Sequence, residues 1–399
     1  MSRTALIYSP DFSLLRTSEI SLRGNDVVHY VAGQELVDPV YTVAKLQYPY
    51  AVPERVPNPE QPARSLACYE SLAAFGLVGD AAGQMLPVVP RSATLNELAA
   101  VHSHNYINRV RAVSDAGGGE LGESTYIGEN SFQWAGLSAG AGLTALEVLF
   151  SGAADNAMVI TRPPGHHARR ESAAGFCVFN NVAVLAEACR RHYGLQKILI
   201  VDWDLHHGDG TQEIFYNDAG VLFCSLHQFG PELYPEKGDF NETGTGAGLG
   251  YTVNLPLPAK TGDDAYLALF QRVIPALAAF YRPDIILVSA GYDAHFNDTQ
   301  NLYVWDPAGG LCLSAQAYST LTEVVKSCAE QYCQGRYIVL LEGGYNLYSL
   351  PASVVNTAAT MLGLDPLITE RLPVTVPVAA LDVNAYLEKL GRYHPNYHF

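Results

Sequence analysis

Five short apolar runs, each ending in a knot of polar residues, constrain this chain more than any other feature. "NAMVIT" (156–161) runs into "RPPGHHA", and "KILIVD" (197–202) into "WDLHHGDG". "VLFCSL" (221–226) runs into "HQFGPELYP", "DIILVS" (284–289) into "AGYDAH", and "RYIVLL" (336–341) into "EGGYN". The runs are rich in β-branched residues and lack strict polar alternation, as strands buried on both faces do. Segments with helical spacing separate them at 178–193, 263–281 and 314–334, with others at 131–151 and 349–362. That is the strand–helix alternation of a mostly parallel sheet covered by helices. The carboxyl ends of such strands share one edge, where open α/β folds bind ligands. The polar knots therefore converge in one crevice.

The first 125 residues are less regular. "YPYAVPERVPNPEQPARS" reads as a Pro-rich loop, 65–77 and 94–113 as helices, and "AGGGELGEST" (116–125) and 237–250 as Gly-rich loops. No repeat or linker interrupts the chain, so residues 1–365 read as one domain. Residues 366–399 read as an extension with a short helix near 381–391. With 48% apolar residues and no apolar run of 18, the chain can fill a large core but has no membrane span. A net charge of −16 disfavours nucleic acid or an anionic membrane as partner and suits cationic substrates. The N-terminus lacks the apolar segment of a secretory signal, which predicts a cytoplasmic protein. Seven scattered cysteines without a C-x-x-C pair predict buried free thiols.

Asp204 and Asp293 cannot share a crevice unpaired, because like charges repel strongly at low dielectric. A bound dication removes that difficulty. Asp204 and His206, spaced i,i+2 on an extended segment, would point the same way, and Asp293 would arrive from a neighbouring strand end. One imidazole and two carboxylates suit catalytic Zn²⁺ with a position left for water, and Fe²⁺ or Co²⁺ fits the same donors. An isolated D-x-H is more often a surface hydrogen-bond pair, but five polar strand ends together argue for a site. His166 and His167 follow a stiff Pro-Pro-Gly, with Asp202 and Asp209 available to orient their rings. Tyr345, beside two glycines, offers a phenol donor to an oxyanion.

"RPPGHHA", "GFCVFNN", "DWDLHHGDGTQEIFY", "SLHQFGPELYP", "SAGYDAH" and "LEGGYN" together resemble the histone deacetylase superfamily, nearest its class II-like branch. That superfamily also holds bacterial acetylpolyamine amidohydrolases and acetoin-utilisation proteins. The resemblance, over about residues 58–365, implies a three-layer arginase/deacetylase-type α/β fold with a central sheet of about eight strands. It implies Asp204, His206 and Asp293 as metal ligands, and His167 as general base and acid with Asp209 as partner. His166, paired with Asp202, would give electrostatic support, and Tyr345 would donate to the oxyanion. Phe176 and Phe229 would wall a narrow channel, with Gly175 and Gly344 close to the metal. It also implies structural K⁺ near Asp202, Asp204, His206, Ser225 and Leu226, and a second near Phe215, Asp218 and Val221. The implied activity is metal-dependent removal of acetyl or short acyl groups from acetyl-lysine, acetylpolyamine or a similar amine; homo-oligomerisation stays open.

Three departures stand out. Ser124 occupies the place of a rim aspartate that clamps peptide backbone, with Glu123 as a candidate substitute. "NPEQPAR" (58–64) keeps Arg64 but lacks the family's leading histidine. After "GYDAH" the chain inserts "FNDTQNLYVW" before "DPAGG", which would put Tyr303 and Trp305 at the pocket rim and set substrate choice. Two other functions compete. A two-metal ureohydrolase shares the fold but needs further D-x-D or D-x-H ligands, which are missing, and a non-catalytic acyl-lysine reader would have lost His167 or Tyr345.

Overall fold

The computed structural model describes residues 3–23, 26–31, 33–42, 56–231, 233–298, 309–371 and 378–399. Eight strands form the central sheet: β1 (Thr4–Ile7), β2 (Leu86–Val88), β3 (Asn156–Val159), β4 (Ile198–Asp202), β5 (Val221–Gln228), β6 (Thr252–Leu257), β7 (Ile285–Ala290) and β8 (Tyr337–Leu341). Their spatial order is β6-β5-β4-β7-β8-β3-β1-β2, and every pairing is parallel. The five runs read from sequence are thus five adjacent strands.

Successive side chains on these strands enter opposite halves of the core, as the pleat requires. Leu199, Val201, Ile286 and Val288 join one apolar cluster with helices Asp263–Tyr281, Ala315–Tyr332 and Ser349–Met361. Ile198, Ile200, Ile285 and Leu287 join the other with helices Ser131–Phe150 and Asn181–Tyr193. Each such side chain contributes about 1.5–3 kcal/mol by leaving water, so both faces must stay covered. The helix Val383–Tyr393 closes one face, placing Tyr386, Leu387 and Leu390 in the first cluster. Among the described residues no helix is long and apolar enough to cross a membrane. All seven cysteines are free and buried.

Register aligns the active edge. Asp202 pairs with Ser225 on one side and Ser289 on the other, and Ala290 pairs with Leu341. The loops beginning at residues 203, 291 and 342 therefore leave the sheet side by side.

The N-terminal region departs from the loop reading. Glu19–Arg23, Asp26–Val31, Gln34–Thr42 and Val56–Pro57 form a second, antiparallel sheet. Gly118–Glu123, expected as loop, is a strand paired with Thr125–Gly128 and Ala173–Ala174. A Cβ on Gly118 would lie 2.3 Å from the Ile127 carbonyl oxygen, so the glycines there permit close strand approach. The single helix expected at 94–113 is two, Leu95–Leu98 and His104–Asp115, because Thr94 and Ser103 each cap a separate N-terminus. Tyr303 and Trp305 of the rim insertion lie outside the described residues.

Candidate metal centre and active site

Asp204, His206 and Asp293 present ligand atoms within 4.8 Å of one another. His206 Nδ1 stands 3.3 Å from Asp204 Oδ1 and 3.2 Å from Asp293 Oδ2. Ligands about 2.0–2.1 Å from a tetrahedral ion stand about 3.3 Å apart, so the spacing suits a divalent cation. The remaining carboxylate oxygens are fixed by backbone donors. Gly343 N donates to Asp204 Oδ2 (2.9 Å) and Leu205 N to Asp293 Oδ1 (2.9 Å), leaving Asp293 Oδ2 buried without a hydrogen bond. Glycines make room: a Cβ on Gly291 would fall 1.9 Å from Asp204 Oδ2, and one on Gly343 2.5 Å from Asp293 Oδ2. The donor set and its cradle fit a metal ion.

The i,i+2 alignment has a different origin from the expected extended segment. Residues 204–206 form a bend, and His206 N donates to Asp204 Oδ1 at 2.9 Å. A short aspartate side chain bonding its own backbone two residues on favours that turn over a strand.

Burial alone would lower the His206 pKa, but the adjacent Asp204 and Asp293 carboxylates override it and raise it to about 10. Without an ion, a proton on His206 reconciles the two carboxylates. Burial likewise opposes a charged His166, yet Asp204 and Asp202 hold its pKa well above the usual value. His166 Nδ1 lies 3.0 Å from Asp202 Oδ2. His167 differs: burial, aided by the charge on His166, lowers its pKa to about 4. Its Nδ1 meets Asp209 Oδ1 at 2.8 Å, while Arg169 donates twice to Asp209 Oδ2, at 2.9 and 2.7 Å. The two rings lie 4.0 Å apart, and His167 stands edge-on to His206 at 6.0 Å. A neutral imidazole, oriented by a carboxylate, can take up a proton beside the cation site.

Gly175 has φ +51°, and a Cβ there would meet the His167 ring at 2.4 Å. Gly344 has φ +110°, which leads Tyr345 out of the sheet edge. Phe176 packs edge-on against Tyr345 at 5.8 Å. Phe229 directly follows the strand Val221–Gln228. Its N–H bonds Leu257 O at 2.8 Å, which keeps it at the strand end. Tyr234 is the ring that stands against His167 (4.9 Å) and His206 (6.2 Å), because the loop after Phe229 folds back over the site. Glu123, the candidate rim acid, lies 3.5 Å from Arg169, and Ser124 is buried at φ +49°.

Two further buried groups support the site, neither with a role readable from sequence. Glu342 is fully buried and accepts from Gly165 N (2.6 Å) and His166 N (3.2 Å), with burial raising its pKa to about 7. Arg64 donates to Gly344 O (2.5 Å) and Glu342 O (2.6 Å), and its guanidinium lies 4.7 Å from the Tyr345 ring centre. Arg64 thus grips the Tyr345 loop from below.

Of the residues implied for potassium, Asp202 and Ser225 are sheet partners beside the site, and Leu226 O accepts from Tyr266 Oη at 3.2 Å. Phe215, Asp218 and Val221 cluster at the opposite end of β5, where Asp218 N donates to Phe215 O at 2.9 Å.

The histone deacetylase domain model matches residues 58–361, and the chain belongs to that family. A probable deacetylase of Archaeoglobus fulgidus is 40% identical over 277 residues, covering 69% of this chain and 74% of that protein. A histone deacetylase-like amidohydrolase of Pseudomonas aeruginosa is 41% identical, over 64% of this chain and 65% of its own. The human polyamine deacetylase HDAC10 is 38% identical, over 77% of this chain but only 45% of its own. The crystal structure of the HDA15 HD domain superposes with a TM-score of 0.77 at 31% identity, covering 99% of this chain and 95% of that one. These relatives place the chain among the family's hydrolases.

Proposed function

We propose that this protein is a zinc-dependent amidohydrolase that removes an acetyl or short acyl group from an aliphatic amine. The observation that carries it is the His167–Asp209 pair beside three ligand atoms spaced for one divalent ion. Asp204, His206 and Asp293 would hold that ion, which supplies Lewis-acid polarisation of the amide carbonyl and acidifies water. Neutral His167 takes a proton as water attacks, with Asp209 steadying the imidazolium, and then gives it to the leaving amine. Tyr345 Oη donates to the carbonyl oxygen as negative charge develops on it. Burial raises the Tyr345 pKa well above the usual value, so it acts as a donor and not as a phenolate. Phe176 and Phe229 would wall the acyl-chain channel, with Tyr234 beside His167.

Ser124 at the rim supports a small acylated amine over a peptide, and the human relative named for polyamine deacetylation supports the same class. The net charge of −16 suits a cationic amine. The residues implied for potassium offer hard oxygen donors, as a structural K⁺ would need. Residues 1–365 would form the catalytic domain and 366–399 an extension completing it. The test is acetate release from a panel of N-acetyl-lysine peptides, acetylpolyamines and aryl acetamides by the zinc-loaded enzyme. Turnover of at least one alkylamide is expected, with His167→Ala and Tyr345→Phe slower by about 10²-fold or more. Wild-type rates in both variants would refute the assignment.

A further inference from the structure

Tyr345 must present its hydroxyl in one place, and the contacts holding its backbone lead away from the site in an unexpected direction. Asp298 is fully buried, and its Oδ2 accepts from Tyr345 N at 2.8 Å and from Asn346 N at 3.0 Å. Asn346 Nδ2 returns a bond to Asn297 O at 2.7 Å. Two chain segments 47 residues apart are thereby sewn together at the Tyr345 backbone. Residues 297 and 298 are the first part of the insertion after "GYDAH", so that part is a bracket for the tyrosine and not only a rim loop.

The bracket is itself held. His295 Nδ1 accepts from Asn297 N at 3.0 Å, which leaves the ring proton on Nε2, facing Glu370 Oε2 at 2.7 Å. The same Glu370 oxygen accepts from Ala315 N at 2.9 Å, at the start of the helix Ala315–Tyr332, where a carboxylate is favoured by the exposed amides. Gln316 fixes the backbone of Glu370 from both sides, donating to its carbonyl (2.7 Å) and accepting from its N–H (3.0 Å). Glu370 lies beyond residues 58–361, the part matched to the family.

We propose that Glu370 and Asp298 are positioning residues that, with His295 between them, fix the backbone of Tyr345, so that the segment after residue 366 is required for full turnover. The chain of contacts runs from Glu370 to the His295 ring, to Asn297 N–H and its neighbour Asp298, and ends on Tyr345 N–H. It rests on the reading of Tyr345 as the oxyanion donor. A donor displaced by about 1 Å loses up to about 10²-fold in rate while substrate binding is largely spared.

The experiment is a double-mutant cycle on the zinc-loaded full chain, with the best substrate of the panel above. Asp298→Ala is expected to lower kcat about 10–100-fold and Glu370→Ala about 3–10-fold, each with KM within about twofold. Asp298→Asn, which keeps an acceptor oxygen, should recover most of the loss. In a Tyr345→Phe background, Asp298→Ala and Glu370→Ala should each change kcat less than about threefold, because the group they position is gone. A merely structural role would give the same loss in both backgrounds, and that result overturns the proposal. So does wild-type kcat in Glu370→Ala, whose partly exposed side chain makes it the variant that keeps its fold should Asp298→Ala not. If Tyr345→Phe alone retained full rate, the underlying reading of Tyr345 would fail instead.

Discussion

Replacing Glu60 with alanine is predicted to destabilise the protein by about 3–5 kcal/mol and to slow turnover. Glu60 is fully buried between two fully buried guanidiniums, its Oε1 2.6 Å from Arg162 Nε and 3.1 Å from Arg64 Nη1. At an effective dielectric of about 20, each pair is worth roughly 5–6 kcal/mol of attraction, from which the several kcal/mol of burying the carboxylate must be subtracted. The other donors of both arginines stay occupied in the variant. Arg162 bonds Phe12 O and Leu15 O, and Arg64 bonds Gly344 O and Glu342 O. What is lost is the compensating charge, which leaves two neighbouring cations to repel one another below Tyr345. Urea unfolding followed by tryptophan fluorescence, with Glu60→Gln beside it, measures the cost. Both variants should lose stability, and kcat should fall more than KM rises. A shift below about 1 kcal/mol with unchanged kcat would refute the reasoning.

Four other outcomes follow from the site. Cation uptake must displace the proton that His206 binds with a pKa of about 10, so affinity should rise about tenfold per pH unit between 6 and 9 and uptake should release at least one proton, read by chelator competition and a pH indicator; a flat profile would contradict this. In the metal-free protein the same raised pKa stabilises the fold below about pH 6.5, and that contribution fades as pH rises towards 10, visible as a falling melting temperature. Gly343→Ala should abolish tight metal binding, since its Cβ would lie 2.5 Å from Asp293 Oδ2 and 2.6 Å from Asp204 Oδ2, and retained stoichiometric binding would show that the cradle is not needed. Arg169→Gln frees Asp209 to stabilise a charged His167, so the acid limb of the kcat/KM profile should move up by as much as about one pH unit; a downward shift would be inconsistent with the pairing.

The middle of the sheet was legible because β3, β4, β5, β7 and β8 are covered on both faces and therefore carry uninterrupted apolar runs. The edge strands were not. Leu86–Val88 contains Pro87 and Thr252–Leu257 contains Asn254 and Pro256, residues that argue against a strand unless it lies at an edge, where the missing N–H faces no partner. The four-residue strand Thr4–Ile7 was too short to stand out. At the site, Asp202, Asp204, His206, Asp209 and Asp293 were readable as polar groups at strand ends. Tyr234, Glu342 and Asp298 were not, because their roles depend on which loop folds back over which strand. Arg64 was noticed as part of "NPEQPAR", but its contact with the carbonyl of Gly344 spans 280 residues that no local pattern could bridge.

The central claim is that one divalent ion sits among Asp204, His206 and Asp293. Anomalous diffraction from crystals of the zinc-loaded protein, recorded above and below the zinc edge, tests it most directly. One strong peak per chain is predicted, about 2.0–2.2 Å from His206 Nδ1 and from a carboxylate oxygen of each aspartate. A fully occupied peak at other residues, or none at these three in catalytically active crystals, would contradict it.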